Sequence, residues 1–328
     1  MKLKKLALLA ILALPFSAAL SSCQSGIRIG ILQPDVHLAL DAAREGFIQG
    51  LKDGGVKNFT INYRNANGNS ADLNALAKDL VDTSKLTLGI GTGASVALKG
   101  AADNAGSTNP ILFTAVTDPV EAGLVSSKEN KDGHLCGTTD ANPVEEQIAI
   151  IKEFKPEATK VGIMYTQTEI NSKVQSDQAE VAIAAAGMTS VVKTCANSSD
   201  IKATASALVD LNVDAIYLPT DNNIAANMNA VKEAAASKGV LVVCGEENML
   251  KSGGHVTLSI DYFNLGLATG KMAADILKGE KKTTDFPVVP VASTECTYAY
   301  SASNLTSAGL SMPEALLNAH TWKNVDEQ

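Results

Sequence analysis

The sequence predicts an α/β protein of two Rossmann-like lobes, each built on a parallel sheet. Three observations lead there. Short apolar runs alternate with helical periodicity about four times in each half of the chain. That rhythm breaks after residue 245, leaving a tail too sparse for a third domain but long enough to cross back over both lobes. The 328 residues suit two domains of about 100–200 residues each.

In the first half, residues 27–33 (IRIGILQ) form the first strand. Residues 38–51 follow as a helix with Ala39, Ala43, Phe47 and Leu51 on one face and Gly54-Gly55 as its stop. A second strand spans 59–63 and leads into the polar loop 65–69, with Ser70 the expected N-cap of a helix through Val81. A third strand, 86–91, precedes a short helix over 95–104, and a fourth, 110–114, ends in Ala115-Val116-Thr117-Asp118-Pro119. After a short strand at 135–137, a helix is expected over 142–154 with Pro143 in its first turn. Strands at 160–165, 190–193, 215–218 and 240–243 then alternate with helices at 171–186, 200–211 and 224–238. The tail reads as a polar loop over 246–254, a strand over 255–260, a helix over 262–277, an extended run over 287–291 and a short helix over 313–319.

Residues 1–22 belong to targeting. Lys2, Lys4 and Lys5 precede an apolar stretch over 6–19, too short for a comfortable membrane span, and Leu20-Ser21-Ser22-Cys23 has the form of a bacterial lipobox. Cys23 is therefore the expected lipidation site, placing the protein outside the cytoplasm on a membrane anchor. Without those three lysines, 24 basic residues face 35 acidic ones, a balance of about −11 that argues against a nucleic-acid partner. Cys136, Cys195, Cys244 and Cys296 form no C-x-x-C pair and the histidines are scattered, so no metal site or cofactor is expected. Four cysteines allow three disulfide connectivities, and their spacing selects none.

Candidate chemistry lies at strand ends, where α/β sheets bind ligands. Gly89, Gly91 and Gly93 echo a dinucleotide fingerprint, but the spacing and the strand are wrong for it. Thr92-Gly93-Ala94 reads instead as an anion cradle at a helix N-terminus, or as a plain tight turn. Thr117-Asp118 and Thr220-Asp221 end long apolar strands, one pair per lobe; they suit the two charges of a zwitterion, or simple capping. Glu246 and Glu247 offer a carboxylate for an ammonium, Asp261 marks a recrossing, and Tyr165 offers a ring at a strand end. His37 has no nucleophile or partner beside it in sequence, and no G-x-S-x-G elbow occurs, so no enzyme is expected.

The lipobox, Gly30-Ile31-Leu32-Gln33, His37 followed by residues 40–47 (LDAAREGF), residues 112–120 (LFTAVTDPV), residues 122–125 (AGLV), Pro219-Thr220-Asp221-Asn222 and Ile260-Asp261-Tyr262 form a collinear set. With it the chain resembles the ABC-transporter substrate-binding lipoproteins of the tryptophan/tyrosine-binding type, over nearly all of its mature length. Residues 33–38 (QPDVHL) depart from the pattern, which expects proline directly after the histidine. The resemblance implies the type I periplasmic-binding-protein fold, with two lobes joined by a three-segment hinge. The lobes are expected at 23–139 plus 261–283 and at 140–260 plus 284–328. It further implies a monomer that binds an amino acid, tryptophan or tyrosine first, and delivers it to a permease driven by a separate ATPase. The candidate ligand-binding set is then Gln33, Thr92, Gly93, Ala94, Ala115, Thr117, Asp118, Tyr165, Asn171, Thr220, Asp221, Asn222, Glu246 and Asp261. A nucleoside receptor, a surface adhesin or sensor, and an extracytoplasmic enzyme are the rival readings; the scarcity of aromatic residues, 4 %, speaks against the first.

Overall fold

The computed structural model describes residues 26–130, 133–288 and 295–327; the leader and Cys23 lie outside them. Strands β1 (Ile27–Gln33), β2 (Phe59–Asn65), β3 (Leu86–Ile90), β4 (Ile111–Thr114) and β5 (Leu135–Gly137) form a fully parallel sheet in the order β2-β1-β3-β4-β5. A second sheet contains β6 (Lys160–Thr166), β7 (Thr189–Cys195), β8 (Ala215–Leu218), β9 (Leu241–Cys244), β10 (Val256–Ser259), β11 (Thr297–Tyr300) and β12 (Trp322–Asn324). Its order is β12-β11-β10-β9-β8-β6-β7, and only β10 and β11 run antiparallel.

Both faces of each sheet are covered, which is why the strands read as continuous apolar runs. In the first lobe, Ile29 and Ile31 point into one core with Phe47 and Leu51, while Leu32 and Phe113 point into the other with Leu80 and Leu98. The helices of this lobe are α1 (Leu38–Asp53), α2 (Ser70–Thr83) and α3 (Thr92–Ala105). The second lobe carries α4 (Val144–Phe154), α5 (Ile170–Ala185), α6 (Ile201–Asp210), α7 (Asn222–Ala225), α8 (Met228–Ala236) and α9 (Asn248–Lys251). The chain returns to the first lobe with α10 (Tyr262–Lys278), then completes the second sheet with β11, α11 (Ala302–Ser307), α12 (Glu314–Ala319) and β12. It therefore passes between the sheets three times: after β5, after β10 and after α10. Among the described residues no helix is long and apolar enough to cross a membrane.

With few aromatics to fill space, the first lobe packs backbone against backbone. Helices α1 and α10 run parallel and touch through Gly46, Gly50, Gly266 and Gly270. A methyl group on Gly266 would meet the Ala43 carbonyl oxygen, and one on Gly46 would meet that of Phe263.

Several local expectations need correction. Asn69, not Ser70, caps α2, its side chain accepting from Ala71 N–H (3.1 Å), and Pro143 precedes α4 instead of lying in its first turn. The helix expected over 224–238 is two helices. Asn227 donates its side-chain amide to the Asn223 carbonyl (2.8 Å), which closes α7 before α8 begins. The loop expected over 246–254 contains α9. Pro287 and Val288 form no strand, and the rest of that run lies outside the described residues; β11, α11 and β12 were too short to show a period. Cys136, Cys195 and Cys244 are buried, and no disulfide occurs among the described residues.

Gly266→Ala is expected to cost about 1–3 kcal/mol, the usual penalty of overpacking a close contact. Gly100→Ala, in α3 where an added methyl meets nothing within 4 Å, is expected to stabilise by about 1 kcal/mol through helix propensity. Urea unfolding of both variants checks the pair; equal effects would contradict the packing argument.

Candidate functional site

In each sheet the strand order reverses beside the first strand: β1 lies between β2 and β3, and β6 lies between β7 and β8. Such switch points open a crevice beyond the carboxyl ends of the strands. The two crevices face each other. Together they bound a cavity of about 580 Å³ lined by the segments after all six strands: Pro34–Val36, Asn67–Asn69 and Thr92-Gly93 from one lobe, and Thr166–Asn171, Ala196–Ser198 and Asn222–Asn227 from the other.

The first lobe offers N–H groups. Helix α3 starts at Thr92 directly after Gly91, whose φ of 83° makes the turn, so the first amides of a 14-residue helix point at the cleft. Thr92 and Gly93 line the cavity, and the Thr92 hydroxyl is buried with no partner. Ala94 packs in the core instead, so only its backbone can serve a ligand. Gln33 is fully buried and occupied: it donates to the Asp35 carbonyl (2.6 Å) and Asp41 (3.1 Å) and accepts from Arg44 (3.0 Å).

The second lobe offers carboxylates. Asp221 is completely buried and caps α7. One oxygen accepts from Thr166 N–H (2.6 Å), the other from the Thr166 hydroxyl and Ile224 N–H (both 2.9 Å). Glu169, absent from the sequence-derived set, lines the large cavity and accepts from Asn171, from Asn222 N–H and amide, and from Asn223 N–H, at 2.7–3.1 Å. Burial, reinforced by the neighbouring Asp221 charge, raises its pKa. Its sequence signal was an acid one residue before a helix that follows a strand.

Between these halves sits a narrow space, about 10 Å³, lined by His37, Ala115, Asn171, Thr220, Asp221, Asn222, Glu246 and Tyr262 among others. Ala115 holds φ of 56°, a left-handed conformation uncommon for alanine, at the end of β4. Asn222 gives its amide N–H to Glu169, so its carbonyl oxygen faces His37 Nε2 at 3.1 Å. That assigns the His37 proton to Nε2 and leaves Nδ1 a bare acceptor, buried and unpartnered. Burial lowers the His37 pKa, in keeping with a neutral ring. Glu246 Oε2 accepts from Asn248 N–H (2.6 Å), while Oε1 is buried without a partner. His37 and Glu246 also line an adjoining cavity of about 260 Å³.

The other expected residues fall elsewhere. Asp118 caps a turn through Val120 N–H and Glu121 N–H (both 3.0 Å), and exposed Asp261 caps α10 through Asn264 N–H (3.0 Å). Half-buried Tyr165 lines none of these cavities. Thr117 lines a separate space of about 130 Å³ with Asp118.

Comparison with known proteins bears on the fold and the family. The sequence model for the family described as ABC transporter substrate binding protein matches residues 28–321. A tyrosine-binding protein of Clostridioides difficile (strain R20291) is 36 % identical over 271 residues, covering 81 % of this chain and 77 % of the relative. The structure of an ABC domain in complex with L-Trp from Streptococcus pneumonia superposes with a TM-score of 0.84 at 29 % identity, covering 91 % of this chain and 99 % of that one. The ligand-free, open structure of a substrate binding protein with adhesive properties from Clostridium difficile gives 0.66 at 31 % identity, with the same coverage of both chains.

Burial pushes the Glu246 carboxyl from 4.5 up to about 7. The folded ligand-free protein therefore holds a proton that the unfolded chain gives up near pH 4.5. The stability this proton carries is complete below about 4.5 and is lost as pH rises through about 7. Glu246→Gln is expected to flatten that part of the profile by roughly 3 kcal/mol, since each pKa unit is about 1.4 kcal/mol. Denaturant unfolding between pH 4.5 and 8 measures it, and an unchanged slope would refute the assignment.

Proposed function

The chain belongs to the ABC transporter substrate-binding family, and on that premise we propose that its solute is an amino acid, with tyrosine and tryptophan first, held between two lobes that close around it. The observation that carries this reading is the pairing of opposite demands across the cleft. On the first lobe are free helix amides, the unpartnered Thr92 hydroxyl and, at the start of α1, the unpartnered acceptor His37 Nδ1; on the second is the unpartnered acceptor Glu246 Oε1. A zwitterion satisfies both. Its carboxylate takes the Thr92 hydroxyl and the Thr92 and Gly93 N–H groups, its ammonium donates to Glu246 and His37, and Asn171 and Asn222 line the space on both sides of that junction. The side chain extends into the larger cavity, where Pro34, Val36, Leu73 and Ile170 supply apolar contact and the asparagines meet a polar ring atom. No aromatic side chain among the described residues lines that cavity, which disfavours a nucleoside base stacked on both faces. The names of the tyrosine-binding and L-Trp-bound relatives support the same ligand class.

In this reading the protein is a monomeric receptor, not an enzyme, and needs no cofactor. Lipidation at Cys23 holds it to the membrane, and the closed complex hands its solute to a permease and ATPase. The moving units are residues 23–139 plus 261–288 and residues 140–260 plus the segment from 295 onward; the expected boundary at 283 shifts because Phe286 and Val288 pack in the first lobe's cores. Closure follows from a ligand that contacts both lobes only when they meet.

Titration calorimetry against the common amino acids tests the ligand class; binding of none of them would overturn it. Glu246→Gln and Thr92→Val are each expected to weaken L-tyrosine or L-tryptophan binding about tenfold or more, the loss of one hydrogen bond to a charged group. Cys23→Ala is expected to move the protein from the membrane to the soluble fraction on cell fractionation, and continued membrane association would remove the anchor.

A further inference from the structure

Gln175, in the middle of α5, is completely buried where the second lobe meets the first. Its amide nitrogen donates to the hydroxyl of Thr117 (3.1 Å), across the cleft, and to that of Thr220 in its own lobe; its oxygen accepts from Thr220 N–H (3.1 Å). The Thr117 hydroxyl in turn gives its one proton to Asp140 Oδ1 (3.0 Å), and Asp140 Oδ2 accepts from the Tyr262 hydroxyl (2.6 Å). Asp140 and Tyr262 stand at two of the three passages between the lobes. The buried chain Tyr262–Asp140–Thr117–Gln175–Thr220 thus runs from the first lobe through the hinge into the second. Both amide protons of Gln175 and the one hydroxyl proton of Thr117 are committed to protein acceptors, and Gln175 lines neither the large cavity nor the narrow space.

We propose that Gln175 is an interlobe latch, a positioning residue that favours the closed arrangement through hydrogen bonds containing no ligand atom. Opening the cleft breaks the Gln175–Thr117 bond and exposes both groups to water, so the latch contributes only the net value of such a bond. Even that amount raises the closed fraction of the ligand-free protein, and apparent affinity scales with this fraction. Sequence alone hid the residue, because a glutamine in mid-helix reads as solvated surface. The latch itself does not depend on the ligand class proposed above.

The test compares the mature wild-type chain with Gln175→Met, which keeps the length but removes the donors and the acceptor, and with Thr117→Val and Thr117→Ser. Small-angle X-ray scattering of the ligand-free proteins is expected to give a larger radius of gyration for Gln175→Met and Thr117→Val, with Thr117→Ser remaining at the wild-type value. Calorimetry with L-tyrosine and L-tryptophan is expected to show about two- to tenfold weaker binding for the first two, the span of a net hydrogen bond, and unchanged binding for the third. Superimposable scattering curves would overturn the latch. So would an affinity loss without a scattering change, which would mark a direct ligand contact. If neither amino acid binds the wild-type chain, the ligand class fails while the scattering comparison still decides the latch. Should Gln175→Met not fold, the Thr117 pair decides it.

Discussion

Everything in the second lobe's half of the cleft follows from how one buried carboxylate is satisfied. Asp221 has no access to water, so its oxygens must find donors inside the protein, and they find Thr166 and the first turn of α7. Those bonds tie the end of β6 to the end of β8 and aim the next two amides, Asn222 N–H and Asn223 N–H, at a single point. Glu169 occupies that point and accepts from both. The place where an anion would otherwise bind is thus filled by the protein's own anion. Glu169 then fixes the orientation of the Asn222 amide, which fixes the tautomer of His37 in the opposite lobe. One desolvated charge therefore propagates, through four residues, into the hydrogen-bonding character of the facing wall.

The two halves of the cleft consequently have opposite electrostatic sense. The first lobe presents backbone amides at the start of α3, where the helix dipole favours negative charge. The second presents Glu169, Asp221 and Glu246, and among the described residues no lysine or arginine lines the large cavity, the narrow space or the cavity adjoining it. Burial raises all three acids and so favours their neutral forms, and a cation brought into the cleft would draw them toward ionisation. A ligand carrying only one charge would satisfy one wall and leave the other unpaired. In the proposed reading, selection for a zwitterion resides in the walls, while the wider cavity beyond them governs side-chain size.

The strands were legible in the sequence because burial on both sheet faces makes each one an unbroken apolar run, and the strand ends Thr92-Gly93 and Thr220–Asn222 followed directly from them. Side-chain partnership was not legible. Asp118 and Asp261 have the same residue type and the same position after an apolar run as Asp221, yet one caps a turn and the other the exposed start of α10, because only Asp221 lies at a switch point beneath another strand end. Glu169 escaped notice between Tyr165 and Asn171, since nothing local distinguishes a loop acid in water from one beneath two foreign amides. The break between α7 and α8 depends on one side-chain bond from Asn227, which leaves helical periodicity intact on both sides.

The glycine-lined contact in the first lobe, far from any ligand, sets where the cleft residues stand. Because α1 and α10 run parallel, their N-termini emerge at the same end, toward the cleft. His37 is the N-cap residue of α1, and Tyr262 is the first residue of α10. The spacing of these two side chains is therefore the spacing of two helix axes, reduced to backbone contact by Gly46, Gly50, Gly266 and Gly270. Tyr262 holds Asp140 at the hinge and His37 meets Asn222 across the cleft, so a bulkier residue in the helix contact would displace both at once. Close packing there is a condition for the lobes meeting in register, which explains how a protein poor in aromatic residues still builds a rigid wall: it brings backbones together where others would insert rings.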